Sequence, residues 1–262
     1  MFLRCHHVLS ICQFKRIRLI ATLAFHLIIS LPFFEAHSAE KLTLSEKVEI
    51  EKLIRQYIKQ NPEIVIEAIE DIQKKEKKQT ATEQSRQLKL NKHLIEKDRA
   101  DPILGNLDGQ IIITEFFDYQ CGYCKRMLNI LLDISQSNKN VKIILKEYPI
   151  LGPISTLAAQ AALAAKRQDK YSEFHTALMR LRGRLSESAV FQMAKEVGIN
   201  TEKLQLDMMQ PEIFEHLERT RVLGKKLMIR GTPAFIINDA IFPGALSNQK
   251  LLKLIAEAKK NS

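Results

Sequence analysis

Glu115-Phe116-Phe117-Asp118-Tyr119-Gln120-Cys121-Gly122-Tyr123-Cys124 is the stretch on which the reading of this chain turns. It closes an apolar run that starts at Ile111 and leads into Lys125 to Ile134, where apolar residues recur at helical spacing. The stretch therefore marks the end of a strand and the start of a helix. Two thiols separated by two residues at such a junction form a candidate redox pair. The amide N–H groups that open the helix point at the first sulfur, so Cys121 is the expected thiolate, while Cys124 lies one turn further in.

Glu115 stands six positions before Cys121 and shares a strand face with Ile113 and Phe117 by period two. The period predicts burial, and a buried carboxyl with a raised pKa can exchange a proton with the dithiol. The alternative is an edge position facing water. Lys146, on a second expected strand from Val141 to Tyr148, is a candidate partner for Glu115 or else a surface lysine at a strand end. Further on, Arg230-Gly231-Thr232-Pro233 precedes a strand beginning at Ala234. Spacing alone does not make the Thr232–Pro233 bond cis, because most X–Pro bonds are trans.

Around these residues the chain alternates strand 111–117, helix 124–134, strand 141–148, a helical stretch over about 154–227, strands 234–237 and 240–242, and a closing helix 248–259. That order predicts an α/β sheet with an inserted helical domain over residues 99–262. Residues 43–97 hold one proline, no glycine and many Glu, Lys, Gln and Ile, so residues 40–98 read as an N-terminal helical region and linker. Thr43 or Ser45 is placed to cap a first helix, and Asn61 to cap a second with Pro62 at its first position. The pattern thins after Gln73 to a polar helix or a linker. The apolar stripe of residues 43–72 has two outlets, self-association or packing on the same chain.

Residues 1–39 carry Arg4, Lys15, Arg16 and Arg18 ahead of a largely apolar run from Leu19 to Phe34, then small residues at Ala36, Ser38 and Ala39. This is the layout of a secretory signal peptide cut after Ser38 or Ala39, an uncleaved anchor being disfavoured by the run's length, His26 and Pro32. Cys5 and Cys12 leave with it, so Cys121 and Cys124 remain as a lone pair in an exported, oxidising setting. A staple closing so short a loop constrains the unfolded chain little. Of the formal charge of +10, the first 39 residues supply +3, and the remaining lysines are interleaved with glutamates. That is a pattern of solvated helix faces and not of a nucleic-acid site. His93, His175 and His216 show no paired ligand spacing, so no metal centre is expected; a soft metal held by the two thiols is the remote alternative.

These residues together resemble the thioredoxin superfamily, and within it the DsbA-type periplasmic thiol-disulfide oxidoreductases. Glu115 to Cys124 is similar to that family's strand and active-site turn, Lys146-Glu147-Tyr148-Pro149-Ile150-Leu151-Gly152 to its second strand and following loop, and Gly231-Thr232-Pro233 to its cis-proline loop. The resemblance implies a thioredoxin-like fold, Cys121 as nucleophile, Cys124 as resolving thiol, Glu115 as buried acid, and Thr232 with a cis Pro233 as the edge that holds a substrate strand. It implies no organic cofactor, with exported cysteine-containing proteins as clients and a membrane redox partner that recharges the dithiol. The Gly-Tyr dipeptide lacks the Pro-His of strongly oxidising members, so a less oxidising centre is expected. Thr232 and the segment 43–97 resemble the ScsC-like branch, in which an N-terminal helical region joins subunits. Disulfide shuffling by an oligomer, a trimer through residues 43–72, is the expected function; a monomeric oxidase is its rival.

Overall fold

The computed structural model describes residues 42–261 and divides the chain after Ala68. The signal-peptide reading, with Cys5 and Cys12, lies outside the described residues.

In the first unit, α1 (Leu44–Gln60) opens with a capping box: Thr43 Oγ1 accepts from the Glu46 amide at 3.3 Å, and Glu46 Oε2 accepts from the Thr43 amide at 2.8 Å. Asn61 departs from expectation. Its side-chain amide turns back to the Tyr57 carbonyl at 2.9 Å and closes α1, so α2 (Glu63–Leu90) starts without it. None of the α1 residues is buried, and Leu44, Val48, Leu53, Ile54 and Tyr57 are each at least half exposed.

In the second unit, from Ile69, helix α2 continues without a break through the stretch expected to thin, to Leu90. A short α3 (Lys92–Glu96) follows, then β1 (Ile103–Gly105), β2 (Ile111–Phe117), α4 (Gly122–Ser137) and β3 (Val141–Glu147). The inserted helices are α5 (Pro153–Ala165), α6 (Tyr171–Arg180), α7 (Glu187–Glu196), α8 (Thr201–Met208) and α9 (Pro211–Lys226). Strands β4 (Ala234–Ile237) and β5 (Ala240–Pro243) and helix α10 (Asn248–Asn261) complete the unit. The sheet order is β1-β3-β2-β4-β5, with β2 and β3 parallel and the other pairs antiparallel.

Both faces of the central strands are covered, which is why β2 reads as a nearly continuous apolar run instead of an alternating one. Ile113, Phe117, Ile143, Leu145, Phe235 and Ile237 face the larger core, shared with α4, the inserted helices and α10. Phe116, Ala234 and Ile236 face the other side, where Leu88 of α2, Ile95 of α3 and Leu223 of α9 close over them. Leu88 thus seats the end of α2 on the sheet. Where Gly224 passes Tyr148, a Cβ would stand 2.6 Å from the ring, so only glycine fits there.

Candidate active site

Strand β2 delivers the chain to the dithiol, and Asp118 fixes the turn between them. Buried at the strand's end, Asp118 accepts through Oδ2 from the Ile150 and Leu151 amides at 2.8 and 2.9 Å, and through Oδ1 from the Gln120 amide at 2.7 Å and the Ser155 hydroxyl at 2.6 Å. One carboxylate thereby ties the active-site turn to the loop after β3 and to the first turn of α5. Gln120 adds side-chain bonds to Ser155 Oγ at 2.8 Å and to the Leu151 carbonyl at 3.1 Å.

Cys121 is the N-cap of α4. Its sulfur accepts from the Cys124 amide at 3.3 Å, and its thiol donates to the Thr232 carbonyl at 3.2 Å. The Thr232–Pro233 bond is cis, so the dithiol and the proline loop meet as the resemblance implied. Both thiols are free and mostly covered, Cys121 at 7% exposure and Cys124 at 1%. Burial, the nearby Glu115 charge and its hydrogen bond with Cys121 push the Cys124 thiol well up. Tyr123 stands out from the turn, its ring covered on one face by the Arg126 guanidinium at 4.1 Å.

Glu115 is buried as the strand period required. Its Oε1 has no hydrogen-bond partner among the described residues, and burial, with Cys121's charge second, raises its pKa to about 8. Its expected pairing with Lys146 is corrected: the parallel register sets Glu115 opposite Leu145 and Phe116 opposite Lys146, so the lysine belongs to the other face. There the buried Lys146 ammonium donates to Asp101 Oδ2 and to the Leu94 carbonyl, fastening the segment before β1. Lys166 reinforces this through the Ala100 carbonyl at 2.8 Å. His216 also reaches this cluster, its Nε2 lying 3.4 Å from Asp101 Oδ1. Asp98, Asp101 and His216 bring possible ligand atoms within 4.8 Å of one another; Lys146 on Asp101 and Arg219 beside Asp98 at 3.5 Å already supply the compensating charge.

A further group went unread in the sequence. Glu147, on the same sheet face as Glu115, accepts through Oε1 from the Tyr119 and Tyr171 hydroxyls, both at 2.8 Å, and Tyr119 also meets His175 Nδ1 at 3.0 Å. Burial drives Glu147 up and His175 down, the latter to about 3. The signal for this network was Tyr119 two residues before Cys121, yet its partners come from β3 and α6, which only the fold brings together.

Such a sheet, with a CxxC at a helix N-terminus opposite a cis-proline loop, defines a thioredoxin-type thiol–disulfide oxidoreductase. The DSBA-like thioredoxin domain matches residues 112–256, and the chain belongs to that family. The N-terminal domain of the copper resistance protein ScsC matches residues 46–79. A thioredoxin-like oxidoreductase from Silicibacter pomeroyi is 40% identical, over 66% of this chain and 99% of that one, with a TM-score of 0.64. Proteus mirabilis ScsC in a transitional conformation is 31% identical, over 84% of this chain and all of that one, with a TM-score of 0.63. Among curated proteins, the Na(+)/H(+) antiporter NhaA 1 of Salinispora arenicola is 23% identical over 171 residues; the chain spans about a quarter of the length of the curated relatives it matches.

Proposed function

We propose that this protein shuffles disulfides in exported proteins of the periplasm through Cys121 and Cys124. The observation that carries the reading is the contact of Cys121 Sγ with both the Cys124 amide and the Thr232 carbonyl, which supports a reactive sulfur beside a surface able to hold its substrate. The Cys121 thiolate attacks a client disulfide, forming a mixed disulfide and expelling the second client sulfur as a thiolate. Two exits follow. Cys124, giving its proton to the Glu115 carboxylate, attacks Cys121 Sγ, so the client leaves reduced and the protein oxidised. Alternatively another client thiolate attacks the client sulfur, freeing Cys121 with no net oxidation, which is isomerisation.

Glu115 is the proton carrier in this scheme, and Thr232 with Pro233 is the client-holding edge. Lys146 acts at most indirectly, through the segment it fastens. The exposed apolar stripe on residues 44–58 and the ScsC-type match at 46–79 support three subunits joined there, so that several dithiols surround one misfolded client. A membrane redox partner keeps the dithiol in its working state.

The test is reactivation of a scrambled-disulfide protein by the chain from residue 40 and by a chain beginning at Ile69, which keeps the part of α2 that seats Leu88. Reactivation confined to the longer chain, with dithiol exchange surviving in both, is the expected result. Oxidation without reactivation by either would replace the isomerase with an oxidase.

A further inference from the structure

Beside the proline loop lies a groove of about 840 Å³, within the size range of built ligand sites. One side is made by Ile229, Pro233, Ile241 and Pro243, and its rim carries the exposed Tyr123 of the CxxC turn. The opposite side is α2, which presents Gln73, Lys77, Thr80 and Ala81 at helical spacing, so that one face of the helix looks into the groove. This wall is anchored: Leu88 is 4% exposed within the core beneath the sheet, and Gln84 Nε2 donates to the Leu227 carbonyl at 3.2 Å. The groove adjoins the reactive sulfur, because Thr232, which lines it, accepts from the Cys121 thiol at 3.2 Å.

We propose that α2 residues 73–84 form the second wall of the client site, so that an extended client segment lies between this helix and the Thr232–Pro233 edge. The inference rests on the thiol-exchange reading and adds to it who selects the client. The apolar side takes an apolar side chain next to the client cysteine. The helix side offers the Gln73 amide, the Glu76 carboxylate, the Lys77 ammonium and the Thr80 hydroxyl to the client's main chain and polar side chains. Small disulfides reach Cys121 without touching α2, so the helix discriminates between polypeptides and small thiols.

The experiment uses the chain from residue 40 and two thionitrobenzoate mixed disulfides, one on a dodecapeptide with leucine beside its cysteine and one on N-acetylcysteine. Attack by Cys121 releases thionitrobenzoate from each, and the readout is the ratio of the two rates. Ala81→Trp, which fills the groove from the helix side, is expected to lower that ratio about tenfold, the scale of a lost pocket contact. Lys75→Trp, on the opposite face of α2, should leave it unchanged. Should Ala81→Trp fail to fold, Cys124→Ala protein carrying the trapped dodecapeptide decides, since Lys77 should then resist acetylation relative to Lys75 when digested and weighed. An unchanged ratio, or a trapped peptide that leaves Lys77 freely acetylated, overturns the helical wall alone. No thionitrobenzoate release from either compound overturns the exchange reading and the wall with it.

Discussion

At the scale of single residues, the site depends on keeping a carboxyl where water is excluded. Glu115 sits at about 8 in the fold against 4.5 ordinarily, so the folded protein holds a proton there that the unfolded chain has released. The stability this group confers is complete below pH 4.5 and is lost as pH rises through about 8. With the dithiol kept reduced, Glu115→Gln should flatten the fall in urea midpoint between pH 5 and pH 8; parallel profiles in the two proteins would show that some other group governs it. The same substitution should slow resolution of a mixed disulfide by Cys124 at least ~10-fold at pH 8.5, where Glu115 is mostly ionised and can take the proton of the high-lying Cys124 thiol. Rapid-quench trapping of the Cys121 adduct measures that step. Asp118 is a different kind of residue, fully satisfied by four donors. Asp118→Ala strands those donors and should cost about 2–4 kcal/mol in chemical unfolding, since each buried unpaired group costs ~1–3 kcal/mol and water can reach some of them.

At the scale of elements, the sequence announced β2, α4, β3, β4 and the inserted helices, because each carries a clear period or ends at a Gly or Pro signal. It did not announce β1, three residues long, which pairs with β3 only once the chain has returned to the sheet. Nor did it reveal which face Lys146 uses, for alternation within a strand says nothing about the register between two strands. The end of α2 was hidden for a related reason: a single residue, Leu88, is buried in that helix, and one apolar contact makes no visible stripe. That contact is testable. Leu88→Ala should destabilise the protein by about 2–4 kcal/mol, the usual range for removing a buried leucine side chain. It should also raise hydrogen exchange over residues 73–90 more than over β2; uniform exchange across both would mean that α2 is not seated through Leu88.

At the scale of the whole molecule, the first unit stands out for the apolar surface it leaves exposed. The unit ending at Ala68 exposes Ile50, Leu53, Ile54 and Tyr57 on one face of α1, an apolar stripe of the kind that marks an interaction surface. Placing charge on that stripe tests what it is for. Leu53→Lys with Ile54→Lys leaves the dithiol, the proline loop and α2 from Ile69 untouched, and α1 keeps its capping box. If copies of this chain meet there, sedimentation equilibrium should show the substituted protein at the mass of one chain where the parent sediments as several, and scrambled-protein reactivation should fall while exchange with a small disulfide holds. A parent that already sediments as a single chain would assign the stripe to something other than self-association. Any isomerase activity would then have to arise from one dithiol acting alone, with Cys121 released by the client's own thiols faster than Cys124 can intervene. The raised Cys124 thiol permits that order of events, because the slower the second thiol is to ionise, the longer the mixed disulfide stays open to rearrangement.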